Sequence, residues 1–508
     1  RRQRQMCIRD RNMTKPAEYL FLSYAKVDSA GKTRLPSYLI RVMTGLFPKL
    51  HVQTETEENE GFLAEVESAE DGLDDFAGLL RKYREGSLEK TALPKLRVLQ
   101  KVYDTPDTEK IREAAFYRYE PGKLSRQAAD SLYAERNQGS VSRLELFASC
   151  AYAHFLRYGL ELMPRAEYTF EAVDFGSVYH GVLELFERSL KEDGISLRTL
   201  SEEEMEQRLW DAFSVLTKEY GETILYSSAR NERRIRQMHR LLLRSVRTMQ
   251  YQMQKGSFEP AYFEQKFRMK GVFPLVGKID RIDIRREDDA VYLKVMDYKS
   301  GRKQFSLDDV YYGLSMQLPV YMNAAVSFLQ ERYPQTTIIP AAMLYYRLQK
   351  PIIEIEGTKA EEEIEVEIRK QMKPDGLLLG EDCVLTMLDQ GFTTDSDVMR
   401  VGRKKDGSFK AASQVISQED LGLLLSYTQK KAEQMMQQMA EGEIAVTPLK
   451  TGNHTSCDFC EYREVCRMDE RIDGYRLQEL TPLTDEERKE AMERAVYGGS
   501  EEGHRDEK

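Results

Sequence analysis

Two runs of apolar residues interspersed with polar ones in the middle of the chain predict an antiparallel hairpin. The runs cover residues 276–284 and 291–299, and both are rich in β-branched and aromatic side chains. A short charged segment separates them, and a turn centred near Asp288 places Asp280 opposite Asp297. The two carboxylates then lie about 5 Å apart on one face of the sheet. The hairpin therefore brings two like charges together.

Like charges directly opposite each other destabilise a sheet, so this pair requires a compensating charge. A divalent cation can supply it, because Mg²⁺ is usually held by one or two carboxylates plus waters and substrate phosphates. Lys299 lies two residues beyond Asp297 and shares its face, where it could steady a hydroxide or a phosphate oxygen. A solvated, charged hairpin face is the alternative interpretation, and this pattern alone does not decide between them.

Two predicted helices flank the hairpin and carry further polar residues. Upstream, Gly176 and His180 begin a run with helical apolar spacing, which predicts a helix whose first turn presents His180. Downstream, Gln317 and Tyr321 lie near the start of another helix, four residues apart and therefore on one face. Tyr321 could pack in the core, or it could join Gln317 in contacting a DNA backbone or orienting active-site groups.

The order of these motifs, GxxxH, GxxD, DxK and QxxxY, resembles that of the RecB-family nucleases of the PD-(D/E)XK class. The resemblance implies an α/β fold with a restriction-endonuclease-like core, in which helices flank a mixed central sheet. It also implies a Mg²⁺ site formed by three side chains and one backbone carbonyl, which would be His180, Asp280, Asp297 and the carbonyl of Tyr298. The other implied catalytic residues are Lys299, Gln317 and Tyr321, and Glu264 on the preceding strand is a weaker candidate.

Length and charge set limits on the whole chain. Its 508 residues allow roughly two to four domains. It has no apolar run of about eighteen residues and no signal-like N-terminus, which predicts a soluble intracellular protein without a membrane contact. The net charge of −10 excludes a uniformly basic surface, so a DNA path would be a local stripe.

The N-terminal part contains little that predicts chemistry. Residues 1–11 resemble a translated sequencing-adapter remnant, which suggests a chain cut off on its N-terminal side. Residues 19–25 have the pattern of a buried strand, and Gly31, Lys32 and Thr33 follow. A P-loop would require glycine at position 26, where this chain has Lys26, so we predict no ATP site.

Cysteines near the C-terminus predict a second metal site. Cys457, Cys460 and Cys466 have the spacing C-x2-C-x5-C, which in an intracellular chain indicates metal rather than disulfides. A tetrahedral site needs a fourth ligand, and we prefer Cys150 over the nearby His454. The helix that ends near Cys150 is predicted to begin at a capping box of residues 142–145, Ser-Arg-Leu-Glu.

A remote cysteine before the nuclease motifs and a cysteine triplet after them resemble the arrangement in the AddB family of bacterial helicase-nucleases. Ser23-Tyr24, Gly31 and Pro36-Ser37 also resemble the end of that family's second RecA-like domain. Many relatives have Cys-Pro-Phe where this chain has Cys150-Ala151-Tyr152, which should loosen the turn but keeps the thiolate. The family's ATPase region is missing, so we assign no ATP hydrolysis to this chain.

The family resemblance implies a [4Fe-4S] cluster on the four cysteines, with zinc as the alternative. A cross-link between Cys150 and Cys457 closes a loop of about 300 residues, worth on the order of 5 kcal/mol. The implied domains are the end of a RecA-like domain, a connector of acidic and helical segments, the nuclease with its cluster, and a charged tail. They cover residues 12–50, 51–135, 136–475 and 476–508.

The resemblance also implies an activity and a partner. We expect a Mg²⁺-dependent deoxyribonuclease, an exonuclease that acts on DNA as a single strand or duplex end, in the bacterial cytoplasm. Its partner would be an AddA-like helicase-nuclease subunit, in a heterodimer that processes double-strand breaks for recombination. The alternatives are a non-catalytic DNA-binding scaffold with a nuclease-like fold and a Cas4-like stand-alone nuclease. The N-terminal segment argues against the latter, because Cas4 chains are short.

Overall fold

The structure is a computed structural model that describes most of the chain. The described residues are 15–27, 32–47, 49–50, 52, 68–103, 106–133, 138–165, 172–219, 229–301, 304–348, 351, 360–452 and 454–498. The chain divides into two compact units, Arg1–Tyr117 and Arg118–Lys508. The predicted adapter remnant at 1–11 and the end of the charged tail at 499–508 lie outside the described residues.

The first unit is helical where the structure describes it. Its α-helices are α1 (Tyr38–Leu46), α2 (Ala69–Arg84), α3 (Leu93–Val102) and α4 (Pro106–Ala115), with a 3₁₀ turn at Lys90–Ala92. A small apolar cluster holds α2 and α3 together and consists of Phe76, Leu79, Leu80, Leu96 and Leu99. The helical part of the predicted connector is therefore present.

The buried strand predicted over residues 19–25 is wrong for this structure. These residues have no regular secondary structure, and Phe21 is 90% exposed. A strand needs a neighbour for its backbone hydrogen bonds. Among the described residues of this unit, the only β-bridge joins Val27 to Thr33. The apolar run is present in the sequence, but the described part of this unit contains no sheet.

The second unit contains the remaining helices and all the strands that the structure describes. Its helices are α5 (Arg126–Tyr133), α6 (Val141–Ser149), α7 (Ala151–His154) with a π turn at Phe155–Gly159, α8 (Ala172–Glu192), α9 (Glu202–Glu219), α10 (Ala229–Lys255), α11 (Leu307–Tyr312), α12 (Gln317–Arg332), α13 (Glu361–Gln371), α14 (Asp382–Leu388), α15 (Gln418–Ala440), α16 (Arg463–Cys466) and α17 (Asp485–Tyr497), with a 3₁₀ turn at Leu197–Thr199. In the described part of the chain, no helix combines the length and the apolar content that a membrane crossing requires.

Six strands form the central sheet. They are β1 (Glu259–Met269), β2 (Leu275–Arg286), β3 (Ala290–Lys299), β4 (Thr337–Arg347), β5 (Asp375–Leu379) and β6 (Val415–Ile416), and they lie in that order. The pairs β3–β4 and β5–β6 are parallel and the other pairs are antiparallel. A second, small sheet has the order β8 (His454–Thr455), β7 (Leu449–Thr451), β9 (Gln478–Glu479). The predicted mixed sheet with flanking helices is confirmed.

The register of the central hairpin agrees with the prediction. Arg281 pairs with Met296 and Arg286 with Val291, which centres the turn between Asp288 and Asp289. The crossover from β3 to its parallel neighbour β4 contains α11 and α12, as a parallel connection requires an intervening helix or long segment. The two elements with predicted catalytic residues, β3 and α12, are therefore close along the chain.

Two predicted helix starts need correction. Helix α8 begins at Ala172, so His180 lies in its third turn rather than its first. The N-cap of α6 is Ser140, whose hydroxyl accepts a hydrogen bond from the Arg143 N–H at 3.2 Å, and the predicted capping box at Ser142 is wrong. Glu145 instead accepts a hydrogen bond from the backbone N–H of Met316 at 2.9 Å. That bond joins α6 to the residue before α12.

A network of buried charges lies between α8 and the hairpin. Arg281, 1% exposed, donates to the Asp283 carboxylate at 2.6 Å and to Glu187 at 2.7 Å. Lys294 contacts the same Asp283 carboxylate at 2.7 Å, and the Tyr298 hydroxyl donates to Glu187 at 3.0 Å. Burial alone would raise the pKa of Asp283, but the charges of Arg281 and Lys294 hold it below its usual range. The network ties α8 to β2 and β3.

We expect Asp283→Ala to lower the free energy of unfolding at pH 7 by about 3–5 kcal/mol, because it leaves Arg281 and Lys294 buried without their shared carboxylate. Urea denaturation followed by circular dichroism measures the change. Because the pKa of Asp283 is depressed in the folded state, the penalty should shrink as pH falls below the ordinary value of 3.8. The control is Asp193→Ala, which removes an exposed partner of Arg208 and should cost no more than about 1 kcal/mol. Equal losses in the two variants would contradict the role of the network.

Candidate active site

Asp280 and Asp297 lie at the end of the β2–β3 ladder, on the face of the sheet that α12 covers. They are 7% and 1% exposed, respectively. The Asp280 carboxylate accepts a hydrogen bond from the backbone N–H of Tyr298 at 2.7 Å, which fixes it across the gap between the strands. Burial, together with the nearby charge of Asp280, raises the pKa of Asp297 above its usual range. The two carboxylates therefore repel each other, as the hairpin register predicts.

Lys299 and Gln317 form a closed set of contacts around Asp297. The Lys299 ammonium lies 2.6 Å from one carboxylate oxygen of Asp297 and donates to the Gln317 side-chain oxygen at 2.5 Å. The Gln317 amide donates to the other carboxylate oxygen at 2.7 Å and to the Tyr321 hydroxyl at 3.0 Å. The QxxxY pair therefore orients the two DxK side chains. Tyr321 is 8% exposed, so it acts on this site from within the core.

His180, Glu264 and Asp280 form the group that best fits a cation. One ligand atom from each lies within 4.8 Å of the others. The Nδ1 atom of His180 lies 3.2 Å from the Asp280 carboxylate. Burial alone would lower the pKa of His180, but the hydrogen bond and charge of Asp280, with the charges of Asp297 and Glu264, raise it. One imidazole nitrogen and two carboxylates are a donor set that divalent metals accept, so the residues fit a metal site.

Glu264 occupies an unusual backbone position in β1. Its φ of +50° lies in the left-handed region, which a residue with a side chain rarely adopts within a strand. Its carboxylate reaches the Lys278 ammonium, so one oxygen is held near Asp280 by a cation of the neighbouring strand. The family resemblance gives Glu264 only as a weaker candidate than Asp280, and strand periodicity does not predict this turn of the backbone. In the structure Glu264 joins His180 and Asp280 in the group that fits a cation.

The opening of this site is a groove beside α8. Gly176, Ser177, Gly181, Glu184 and Lys278 line it together with His180 and Glu264. A Cβ atom on Gly176 would lie 3.3 Å from the Ser300 hydroxyl, a close contact that explains the glycine of GxxxH. Glu184 is absent from the predicted site, although its position four residues after His180 on the same helix face is a signal that could have revealed it.

The four predicted cluster cysteines line a single cavity. Cys150 follows the last residue of α6 and is buried, whereas Cys457, Cys460 and Cys466 lie in or near α16. Burial, with the neighbouring thiol of Cys150, raises the pKa of Cys457 to about 11. His454 is not among the lining residues, and its ring is 86% exposed beside Asp458. Of the two residues considered for a fourth ligand, Cys150 therefore lines the cavity and His454 does not.

Hydrogen bonds hold the two halves of the cysteine site together across the sequence. The Ser456 hydroxyl donates to the Ser149 carbonyl at 3.2 Å, and the Tyr462 hydroxyl donates to the Leu162 carbonyl at 2.8 Å. Arg157 forms an ion pair with Glu461 at 3.1 Å. Each contact joins segments that are far apart in the sequence, so contacts between protein groups hold the walls of the cavity together.

Residues 138–467 match the family model described as the PD-(D/E)XK nuclease superfamily. The chain therefore belongs to this superfamily. It is also homologous to proteins named as a subunit of an ATP-dependent helicase/deoxyribonuclease, and the resemblance to the AddB family is confirmed. The relative from Lachnoclostridium phytofermentans is 35% identical over 489 residues, which cover 94% of this chain and 42% of the relative.

Other relatives with the same name give the same result. The relative from Bacillus mycoides is 30% identical over 513 residues, covering 96% of this chain and 44% of the relative. That from Clostridium acetobutylicum is 29% identical over 512 residues, covering 97% and 44%. The chain thus spans less than half the length of these relatives, and it corresponds to their C-terminal part.

We expect Asp280→Asn to weaken Mn²⁺ binding by more than about tenfold, because even outer partners of a metal site change affinity by that factor. Isothermal titration calorimetry of the full chain without DNA measures it. The matched control is Asp288→Asn at the exposed tip of the same hairpin, which should bind Mn²⁺ as the unmodified chain does. Unchanged binding in Asp280→Asn would show that the ion is held elsewhere.

Proposed function

We propose that this chain is a Mg²⁺-dependent deoxyribonuclease that hydrolyses phosphodiester bonds of one DNA strand as an exonuclease. The observation that carries the proposal is the buried Asp280–Asp297 pair with His180 and a third carboxylate, Glu264, on one side and Lys299 on the other. Such a site combines metal-ligating oxygens with a cation for a phosphate, a combination suited to metal-assisted phosphodiester hydrolysis. The names of the homologous relatives, which include deoxyribonuclease, support it.

The site residues would have three roles, which are binding the ion, binding the phosphate and positioning other side chains. His180, Asp280, Asp297 and the backbone carbonyl of Tyr298 would hold the ion, with Glu264 as a further ligand. When bound, Mg²⁺ lowers the pKa of a water molecule and polarises the scissile phosphate. Lys299 lies where its ammonium can donate to a nonbridging phosphate oxygen and stabilise the negative charge that grows in the transition state. Gln317 forms hydrogen bonds with both Lys299 and Asp297 and so fixes their positions relative to each other. The Tyr321 hydroxyl accepts a hydrogen bond from Gln317 and positions its side chain.

Asp297→Ala should reduce Mg²⁺-dependent cleavage of an end-labelled single-stranded oligonucleotide at least about a hundredfold, the scale seen when one electrostatic group of an active site is removed. Asp288→Ala on the exposed turn of the same hairpin is the control and should cleave normally. An EDTA control establishes the metal requirement. Cleavage by Asp297→Ala at the unmodified rate would refute the proposed site, provided that both variants give unmodified circular dichroism spectra.

We further propose that Cys150, Cys457, Cys460 and Cys466 bind a [4Fe-4S] cluster rather than zinc. The cavity that these thiols share supports a four-cysteine metal site, and the homology to the AddB family is our reason for proposing iron–sulfur over zinc. Backbone hydrogen bonds from Ala153, Thr447 and Tyr152 to the Cys150 sulfur lower its pKa, although burial raises it overall. Hydrogen bonds to sulfur are one way in which proteins tune iron–sulfur clusters. The cluster would fasten the two ends of the nuclease domain, which lie about 300 residues apart in sequence.

Anaerobically purified protein should be brown and contain about four iron atoms and four sulfides per chain. Cys457→Ala should lose most of the iron and the broad visible absorbance and should unfold at a lower temperature. Cys383→Ala is the control, because Cys383 is exposed and does not line the cavity. Stoichiometric zinc without visible absorbance would instead establish a zinc site.

The complete protein would act in a larger assembly. The relatives are named as one subunit of a helicase/deoxyribonuclease, which supports an AddA-like partner in a bacterial heterodimer. The partner would unwind a duplex end and deliver one strand to the site described here, for double-strand break repair by homologous recombination in the cytoplasm. The proposed domains cover residues 12–50, 51–135, 136–475 and 476–508. The first of them would be the end of a RecA-like domain.

A further inference from the structure

A row of cations extends from the catalytic lysine along the same edge of the sheet. Lys299 on β3 pairs directly with Arg347 on β4, so their side chains lie on the same face. In the preceding row, Asp297 pairs with Tyr345, and Tyr345 pairs with Asp375 on β5. Adjacent strands are about 4.8 Å apart, so Arg347 lies one strand spacing from Lys299. The acidic side of the catalytic pair, with Glu184 and Glu264, lies in the opposite direction.

The Asp375 carboxylate lies close to two arginines at this edge. Its carboxylate accepts from Arg347 at 2.7 Å and lies 3.9 Å from Arg400. It also accepts from the Gln414 side chain at 2.6 Å and from the Phe305 backbone N–H at 2.8 Å. One carboxylate therefore faces two guanidinium groups and two neutral donors, so the edge carries excess positive charge.

The two arginines remain accessible to a ligand. The side chains of Arg347 and Arg400 are 17% and 34% exposed, which compares with 22% for Lys299. The Arg347 Nε atom is buried, and the Arg400 guanidinium also donates to the backbone carbonyls of Pro374 and Lys373 at 3.2 and 3.4 Å. The exposed part of a guanidinium can donate to a phosphate oxygen, and arginine is the residue best suited to such contacts. The chain as a whole has a net charge of −10, so such a row is a local exception.

We propose that Arg347 and Arg400 form a phosphate-binding subsite for the nucleotide next to the scissile phosphate of a single DNA strand. This inference rests on the proposed nuclease function and adds the direction in which the DNA strand would cross the sheet. The strand would run from the Asp280–Asp297 pair across β4 toward β5, and not into the acidic groove beside α8. Contacts to phosphates carry no sequence information, so the subsite would bind strands of any sequence.

The test measures how DNA binding depends on salt. Fluorescence anisotropy of a 5′-fluorescein-labelled oligothymidylate of about twenty nucleotides is recorded with the full chain in EDTA, which prevents cleavage, at several KCl concentrations. Arg347→Ala and Arg400→Ala should each weaken binding several-fold and reduce the slope of log K against log[salt] by about 0.7, as the loss of one single-strand phosphate contact does. Arg347→Lys should retain most of the slope because it retains the charge.

Two further variants separate phosphate binding from a structural role. Asp375→Asn removes the carboxylate that competes for both arginines, so it should tighten DNA binding and steepen the salt slope. If the arginines serve only to fasten Asp375, the same change should weaken binding. Arg208→Ala breaks the ion pair that joins α9 to Asp193 after α8. It removes one arginine of similar exposure and should leave binding unchanged.

The outcomes distinguish this inference from the proposed function. Unchanged affinity and slope in both arginine variants, weaker binding by Asp375→Asn, or no binding by the unmodified chain would each overturn the subsite. Cleavage of the same oligonucleotide by the unmodified chain in Mg²⁺ is measured in parallel. Cleavage together with arginine-independent binding would leave the nuclease standing without the subsite. Arginine-dependent binding without cleavage would support the subsite and contradict the nuclease activity of this chain.

Discussion

The repulsion between Asp280 and Asp297 is the constraint on which the site depends. Two carboxylates buried side by side in a sheet cost free energy unless other groups offset their charge. The protein supplies those groups from several elements, namely the Tyr298 backbone N–H, the Lys299 ammonium, the Gln317 amide and the His180 ring. They limit the repulsion without removing it, since the pKa of Asp297 remains raised, first by its burial and then by the charge of Asp280. A sheet that keeps such a pair is prepared for a cation.

The two faces of β2 and β3 divide the structural and chemical tasks. Asp297 and Lys299 face α12, where Gln317 contacts both. Arg281 and Tyr298 face α8, where both contact Glu187. Because successive side chains of a strand point to opposite faces, consecutive residues anchor the hairpin on one side and present Asp297 and Lys299 on the other. The buried network thereby holds the helix of His180 at a fixed distance from the hairpin.

The hairpin register and the order of the motifs could be predicted because both rest on local pattern. A period of two and a short charged turn place Asp280 opposite Asp297 without further information. The N-cap of α6 could not be predicted in this way. Ser140 and Ser142 are each followed three positions later by a polar residue, and only the backbone conformation decides which serine caps the helix. Residues 19–25 have a strand pattern, but none of the residues that the structure describes pairs with them as a strand. Glu187 meets Arg281 through tertiary packing alone, and no spacing rule connects residues 94 positions apart.

The measurement that tests the central claim most directly is anomalous diffraction from crystals of the full chain grown with Mn²⁺. We predict one strong anomalous peak within bonding distance of the Asp280 and Asp297 carboxylates, with His180 as a neighbour and Lys299 still beside the pair. A structure at high Mn²⁺ concentration with no ion at these carboxylates, or with an ion only at surface acidic residues, would contradict the account.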